Sequence, residues 1–258
     1  MSGRLARGPA GAPPAWTRGW LVDPSRWVFD GVRHVAAPLA ERDAFPTVAE
    51  LDALLRGSPQ LEAQAPLPAR RPRGARPAPD GAALYDVRIT RDARLPTREG
   101  SWHDLMNALV FRAFPRAKAA LHARQAGELL GHLDRHGALP GARTRLQDVL
   151  AMLDEGGALL AVRPQDAAGL HRAIAAGETQ LGGARVLVFG HAILEHAVLG
   201  APLPRAAPVV LCDPEPDGPL SPLVARLDDA LAAYMGAVTG APMPPALALD
   251  ALDADARP

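Results

Sequence analysis

Two short segments carry the residue types that could do chemistry. The first, Ser101–His122, reads SWHDLMNALVFRAFPRAKAALH and sets His103, Asp104 and Asn107 among Leu, Met, Val and Phe. A His and an Asn one helical turn apart in so apolar a setting must find partners, because a buried polar group left unpaired costs about 1–3 kcal/mol. They either bond neighbouring backbone or line a pocket. Asp104 has a local role three residues after Ser101, as a capping and helix-dipole partner. Arg116 and Lys118 follow Pro115 at the start of a second helix, where backbone N–H groups also point outward, and together they would suit an anionic group.

The second segment, Arg185–Gly200, reads RVLVFGHAILEHAVLG and sets His191 at a helix start directly after an apolar strand. Ligands often sit beyond strand ends in such arrangements. The positive end of the helix favours neutral imidazole, the form that a metal or a general base requires. Glu195 is one turn on and on the same face. A His-x-x-x-Glu pair offers two metal ligands, or a base with its orienting carboxylate. His196 is out of phase with both and is expected at the surface. Asp154 and Glu155, beside two glycines, need no more than turn chemistry. They would complete a metal site if they reached the two histidines.

One reading unites these residues. His103, His191 and Glu195 would bind a divalent metal, with Asp104 or Asp154 as a further ligand or base. Asn107 would orient a small or anionic substrate, and Arg98, Arg116 and Lys118 would hold its charge. That is a metal-dependent hydrolase, with a phosphoester as one candidate substrate. The alternative is a non-catalytic ligand-binding or scaffolding protein in which the same residues form a satisfied internal network. A metal-free acid–base enzyme using His191 and Glu195 is a third option.

The elements that must position them come from composition and periodicity. At 258 residues the chain can bury a core without disulfides. A net charge of zero gives no global field toward nucleic acid or membrane. Cys212, the only cysteine, fits a reducing compartment. No apolar run reaches signal-peptide or transmembrane length, so a cytoplasmic protein is expected. Residues 1–15 read as a disordered arm, 16–240 as one α+β domain, and 241–258 as a flexible tail. The domain is expected to be mostly helical with a small mixed or antiparallel sheet. Trp16, Trp20, Trp27 and Phe29 should pack onto its body. Thr47 with Glu50 signals a capped helix. Residues 57–80, with six prolines and Arg70, Arg71, Arg73 and Arg76, read as an extended surface loop.

Leu84–Thr90 alternates like a half-buried strand, and Arg94–Arg98 reads as a turn or short edge strand. Helices follow from Trp102 and from Pro115. Residues 146–163 read as a hairpin around Asp154–Gly157. A polar helix is expected at 166–177, a strand at 185–189, a helix at 191–199 ended by Gly200, a short strand at 209–211 and a helix at 223–235.

Taken together, Pro96-Thr97-Arg98, Trp102-His103-Asp104-Leu105 with Asn107-Ala108-Leu109, Phe114-Pro115-Arg116 with Lys118-Ala119-Ala120-Leu121, Asp148–Gly156, and Phe189-Gly190-His191-Ala192 with Leu194-Glu195 resemble a bacterial family known as domain of unknown function 3025. The resemblance spans about residues 27–240 and implies a proteobacterial protein, without implying an activity. The chain departs from the family pattern at Glu99-Gly100-Ser101 and in the tail Pro242–Leu249.

Overall fold

Helical spacing of apolar residues decides most of this fold, including two places where strands are expected. The computed structural model describes residues 14–64, 81–179 and 181–252. Its helices are α1 (Arg33–Ala36), α2 (Val48–Leu55), α3 (Tyr85–Asp92), α4 (Trp102–Ala113), α5 (Pro115–His136), α6 (Arg145–Gly156), α7 (Ala167–Ala176), α8 (His191–Leu199) and α9 (Leu220–Ala237). The strands are β1 (Gln60–Gln64), β2 (Arg94–Arg98), β3 (Gly157–Val162), β4 (Arg185–Val188) and β5 (Ala207–Cys212). This is a mostly helical α+β fold. β1 and β2 form a parallel pair, and the second sheet, ordered β4–β3–β5, is mixed. Every residue of β3 is buried, as befits the middle strand of a sheet covered on both faces.

Leu84–Thr90 is not a strand. Its apolar residues satisfy a period of two, yet the segment is helix α3, burying Val87 and Ile89. Tertiary docking outweighs the β-propensity of its branched residues. Asp86 reaches His122 on α5 at 2.8 Å, which requires the helical turn.

Residues 146–163 do not form a hairpin either. Leu146, Val149, Leu150 and Leu153 lie three, four and seven residues apart, a helical stripe. Thr144 caps α6, accepting from the Gln147 N–H while Gln147 reaches back to the Thr144 N–H. Asp154, Glu155 and Gly156 are therefore the last turn of α6, and β3 begins at Gly157.

Within the 57–80 segment, Gln60–Gln64 pairs with β2, because its prolines lie outside those five residues. The arginines at 70, 71, 73 and 76 lie outside the described residues, as do residues 1–13 and 253–258. In the segment expected as a tail, Leu247 pairs with Ala206, and Leu247, Leu249 and Leu252 are buried. Apolar side chains at this spacing find the core beside β5 and so hold the backbone there. Trp16, Trp20, Trp27 and Phe29 pack onto the body as expected; Trp16 and Trp20 lie 5.5 and 5.2 Å from the Trp102 ring of α4, and Phe45 joins them at 4.8 Å. Among the described residues no helix is long and apolar enough to cross a membrane.

Candidate functional site

Three helix ends meet at the site, and glycines permit the meeting. Ser101 caps α4 by accepting from the Asp104 N–H at 3.2 Å, which sets His103 in the first turn. α4 packs along α8. β4 runs into Gly190, and the Phe189 and Gly190 N–H groups both bond the Gly157 carbonyl. A Cβ on Gly190 would lie 2.6 Å from Glu155 O, Gly156 Cα and Gly157 N, so only glycine lets the chain pass this close to the end of α6. His191, the first residue of α8, thereby lands beside Asp154 and Glu155.

The His-x-x-x-Glu pair of α8 clasps His103 of α4. His103 Nδ1 meets Glu195 Oε2 at 2.9 Å, and its Nε2 meets His191 Nε2 at 3.1 Å. A carboxylate only accepts, so His103 donates from Nδ1 and its Nε2 carries the lone pair. His191 Nδ1 is buried without a hydrogen-bond partner among the described residues, 3.9 Å from the Asp154 carboxylate. With the proton of His191 on Nε2, the two rings share an N–H···N hydrogen bond; with it on Nδ1, both Nε2 lone pairs are free to hold a cation. Glu155 Oε2 stands 3.4 Å from the same His191 Nε2. One ligand atom from each of His103, His191 and Glu155 lies within 4.8 Å of the others. Burial pushes the His191 imidazole down to about 3, so it is neutral near pH 7. Burial and the Asp154 charge both raise the Glu155 carboxyl.

Behind this cluster runs a chain of donors that starts at a buried lysine and ends at Tyr85, a residue 40% exposed. Lys118 is fully buried and holds both the Asp154 carboxylate and Asn107 Oδ1, the latter at 2.7 Å. Its Nζ also lies 4.4 Å above the Phe111 ring. Asn107 Nδ2 in turn donates to the Tyr85 hydroxyl at 2.9 Å. Burial alone would raise the Asp154 carboxyl, but the Lys118 ammonium outweighs it and holds Asp154 well below the usual carboxylate range. Burial and the Asp154 charge push the Tyr85 phenol well above its ordinary range, so it keeps its proton.

The other candidates divide. Asp104 accepts from the Arg98 backbone N–H at 2.7 Å, from Nε at 2.8 Å and from Nη2 at 2.7 Å. These bonds outweigh the effect of burial and hold its carboxyl low. Asp104 thus anchors Arg98 to α4 and does not face the imidazoles as a ligand. Glu195 supports His103 from behind, and Glu155 is the carboxylate beside His191 Nε2. Arg116 and Lys118 do not converge on one anion. Arg116 pairs with Asp229, and the N–H groups of Arg116 and Ala117 donate to Asp228 at 3.1 and 2.8 Å. Arg116 lines a separate cavity with His34 and Asp228.

A cavity of about 290 Å³ opens at the cluster, lined by Tyr85, Arg98, His103, Asn107, Glu155 and His191 among others. Tyr85 was hidden in an expected strand and Glu155 in an expected turn. The Thr144–Gln147 capping pair and the leucine stripe after it were the signals that would have turned Glu155 toward the site.

A family model described as protein of unknown function (DUF3025) matches residues 75–236, which contain every residue of this cluster. No curated protein and no solved structure matches the chain.

Proposed function

The chain belongs to the DUF3025 family of proteins of unknown function, and from that premise we propose that His103, His191 and Glu155 hold a divalent metal ion and that the adjoining cavity is the seat of a metal-dependent hydrolysis. The observation that carries this reading is the 3.1 Å approach of two imidazole Nε2 atoms with Glu155 Oε2 3.4 Å from one of them, so that one ligand atom from each of the three residues lies within reach of a single ion. Two imidazole nitrogens on one tetrahedral zinc ion stand roughly 3.3 Å apart. The Glu195 carboxylate behind His103 supplies the outer-shell contact that fixes its tautomer and raises its basicity as a ligand. Two His and one carboxylate leave coordination positions open for water and substrate.

At this place a divalent ion would supply a water nucleophile with a pKa lowered toward about 7. Asp104 and Asp154 are each held by a cation, so neither serves as a free base in this reading. Glu195 keeps His103 Nε2 available. The size of the cavity suits a small substrate, and Arg98 gives it a positive wall.

Metal analysis of untagged protein, purified without chelator and reconstituted with zinc, manganese or cobalt, tests the reading. One equivalent is expected in the wild type and less than a tenth in His103→Ala or His191→Ala with the circular dichroism unchanged. A folded wild type that takes up none of these ions overturns it. Hydrolysis is then assayed on a panel of phosphoesters and carboxylic esters, with turnover expected only for loaded protein. The second reading, a non-catalytic binding protein, draws on the closed Lys118–Asn107–Asp154 network, and it gains if the loaded protein turns over nothing.

A further inference from the structure

The order of donors and acceptors behind the cavity turns the Tyr85 hydrogen away from Asn107. An ammonium group only donates. Lys118 Nζ must therefore meet Asn107 through Oδ1, as it does at 2.7 Å. That choice turns the Asn107 Nδ2 toward Tyr85, whose oxygen accepts at 2.9 Å. The hydroxyl hydrogen is then directed elsewhere, and no acceptor among the described residues meets it. Tyr85 lines the cavity that His103, Glu155 and His191 also line.

Arg98 lines the same cavity. Its Nε and Nη2 serve Asp104, and its Nη1 has no hydrogen-bond partner among the described residues. Its charge acts on both Tyr85 and Glu195, so the guanidinium lies near the phenol and the histidine cluster alike. A neutral donor and a cationic donor thus border one cavity, and the protein offers neither of them an acceptor there.

We infer that Tyr85 and Arg98 form an oxyanion subsite, in which the Tyr85 O–H and Arg98 Nη1 donate to a phosphoryl or carboxylate oxygen of a small ligand. Lys118 and Asn107 are positioning residues that aim the tyrosine. The inference rests on this cavity being the working site, as proposed above, but not on its metal.

For that reason the test is run on metal-free full-length protein in EDTA. Inorganic phosphate and acetate are titrated separately and followed by calorimetry and by NMR. In the wild type, one of the two anions should bind and shift the Arg98 Nε–H and Tyr85 ring resonances together. The tighter of the two names the ligand group. Tyr85→Phe should weaken that anion about fivefold. Should the Phe variant fold poorly, the paired wild-type shifts still decide. Neither anion binding at tens of millimolar, binding that leaves Arg98 and Tyr85 unshifted, or equal affinity in a folded Tyr85→Phe overturns the subsite. Failure of metal uptake, measured separately, overturns the metal reading and leaves this one standing.

Discussion

The Nε2 atoms of His103 and His191 face each other at 3.1 Å, and the Glu195 carboxylate holds His103 from its other side at 2.9 Å. Glu195 is thus an orienting group one shell removed from any ion between the imidazoles. Glu195→Gln keeps an acceptor of the same shape but removes the charge. It should weaken metal binding 10- to 100-fold, the usual cost of losing an outer-shell partner, without abolishing it. Competition against a chelator of known affinity measures this. Complete loss of binding would make Glu195 a direct ligand, and an unchanged affinity would remove it from the site.

Gly190 holds the end of β4 against the end of α6. An added Cβ would meet three backbone atoms at 2.6 Å, and none of them belongs to a flexible side chain. Gly190→Ala should therefore destabilise by about 1–3 kcal/mol or more, as overpacking does, and should lower metal affinity by parting His191 from Glu155. Gly127→Ala is the control. A Cβ there meets nothing, and the helix interior gains roughly 0.5–1 kcal/mol from the change. Urea unfolding of both variants compares them, and equal stabilities would remove the close approach as the device that assembles the site.

Much of the site was legible because His103, Asn107, His191 and Glu195 sit on helices whose apolar stripes show in the sequence. The convergence of two distant helices was not legible, since it depends on α4 packing along α8, a contact 88 residues apart in the chain at the imidazoles. Glu155 was obscured by its glycines, which look like a hairpin turn when read locally. They serve instead to bring α6 and β4 into contact. Tyr85 was obscured by the alternation of Val87 and Ile89, a short pattern that both periods satisfy. Lys118 shows a different limit. Its sequence position suggests an exposed basic face at a helix start, and only the carboxylate of Asp154, arriving from α6, makes a fully buried ammonium tolerable.

That buried pair yields a further expectation. Lys118→Met strands the Asp154 carboxylate without its cation, and such losses cost about 3–5 kcal/mol. Replacing both partners, as Lys118→Met with Asp154→Leu, removes the stranded charge and should recover part of that loss. Urea unfolding of the two single variants and the double one gives the coupling energy. Strict additivity would mean that Lys118 and Asp154 do not act as a pair.

Acid stability follows from His191. Its imidazole is 2% exposed, and burial depresses it to about 3, against about 6.5 when unfolded. Below pH 6.5 the unfolded chain takes up a proton that the native state refuses. Stability from this group is thus complete above pH 6.5 and falls as the pH drops toward 3. Each pH unit costs about 1.4 kcal/mol, or roughly 2–3 kcal/mol between pH 6.5 and 4.5. His34 and His132, also depressed, act in the same window with the same sign, so the wild-type slope contains all three. Asp154, held below the usual carboxylate range, loses its contribution only at lower pH, and a series that stops at 4.5 leaves it out. His191→Gln cannot be protonated. In metal-free protein, its unfolding free energy should fall less steeply than that of the wild type between pH 7.5 and 4.5. Parallel lines for the two proteins would show that His191 is not held neutral by its burial, and a metal between His103 and His191 would lose one of its neutral ligands.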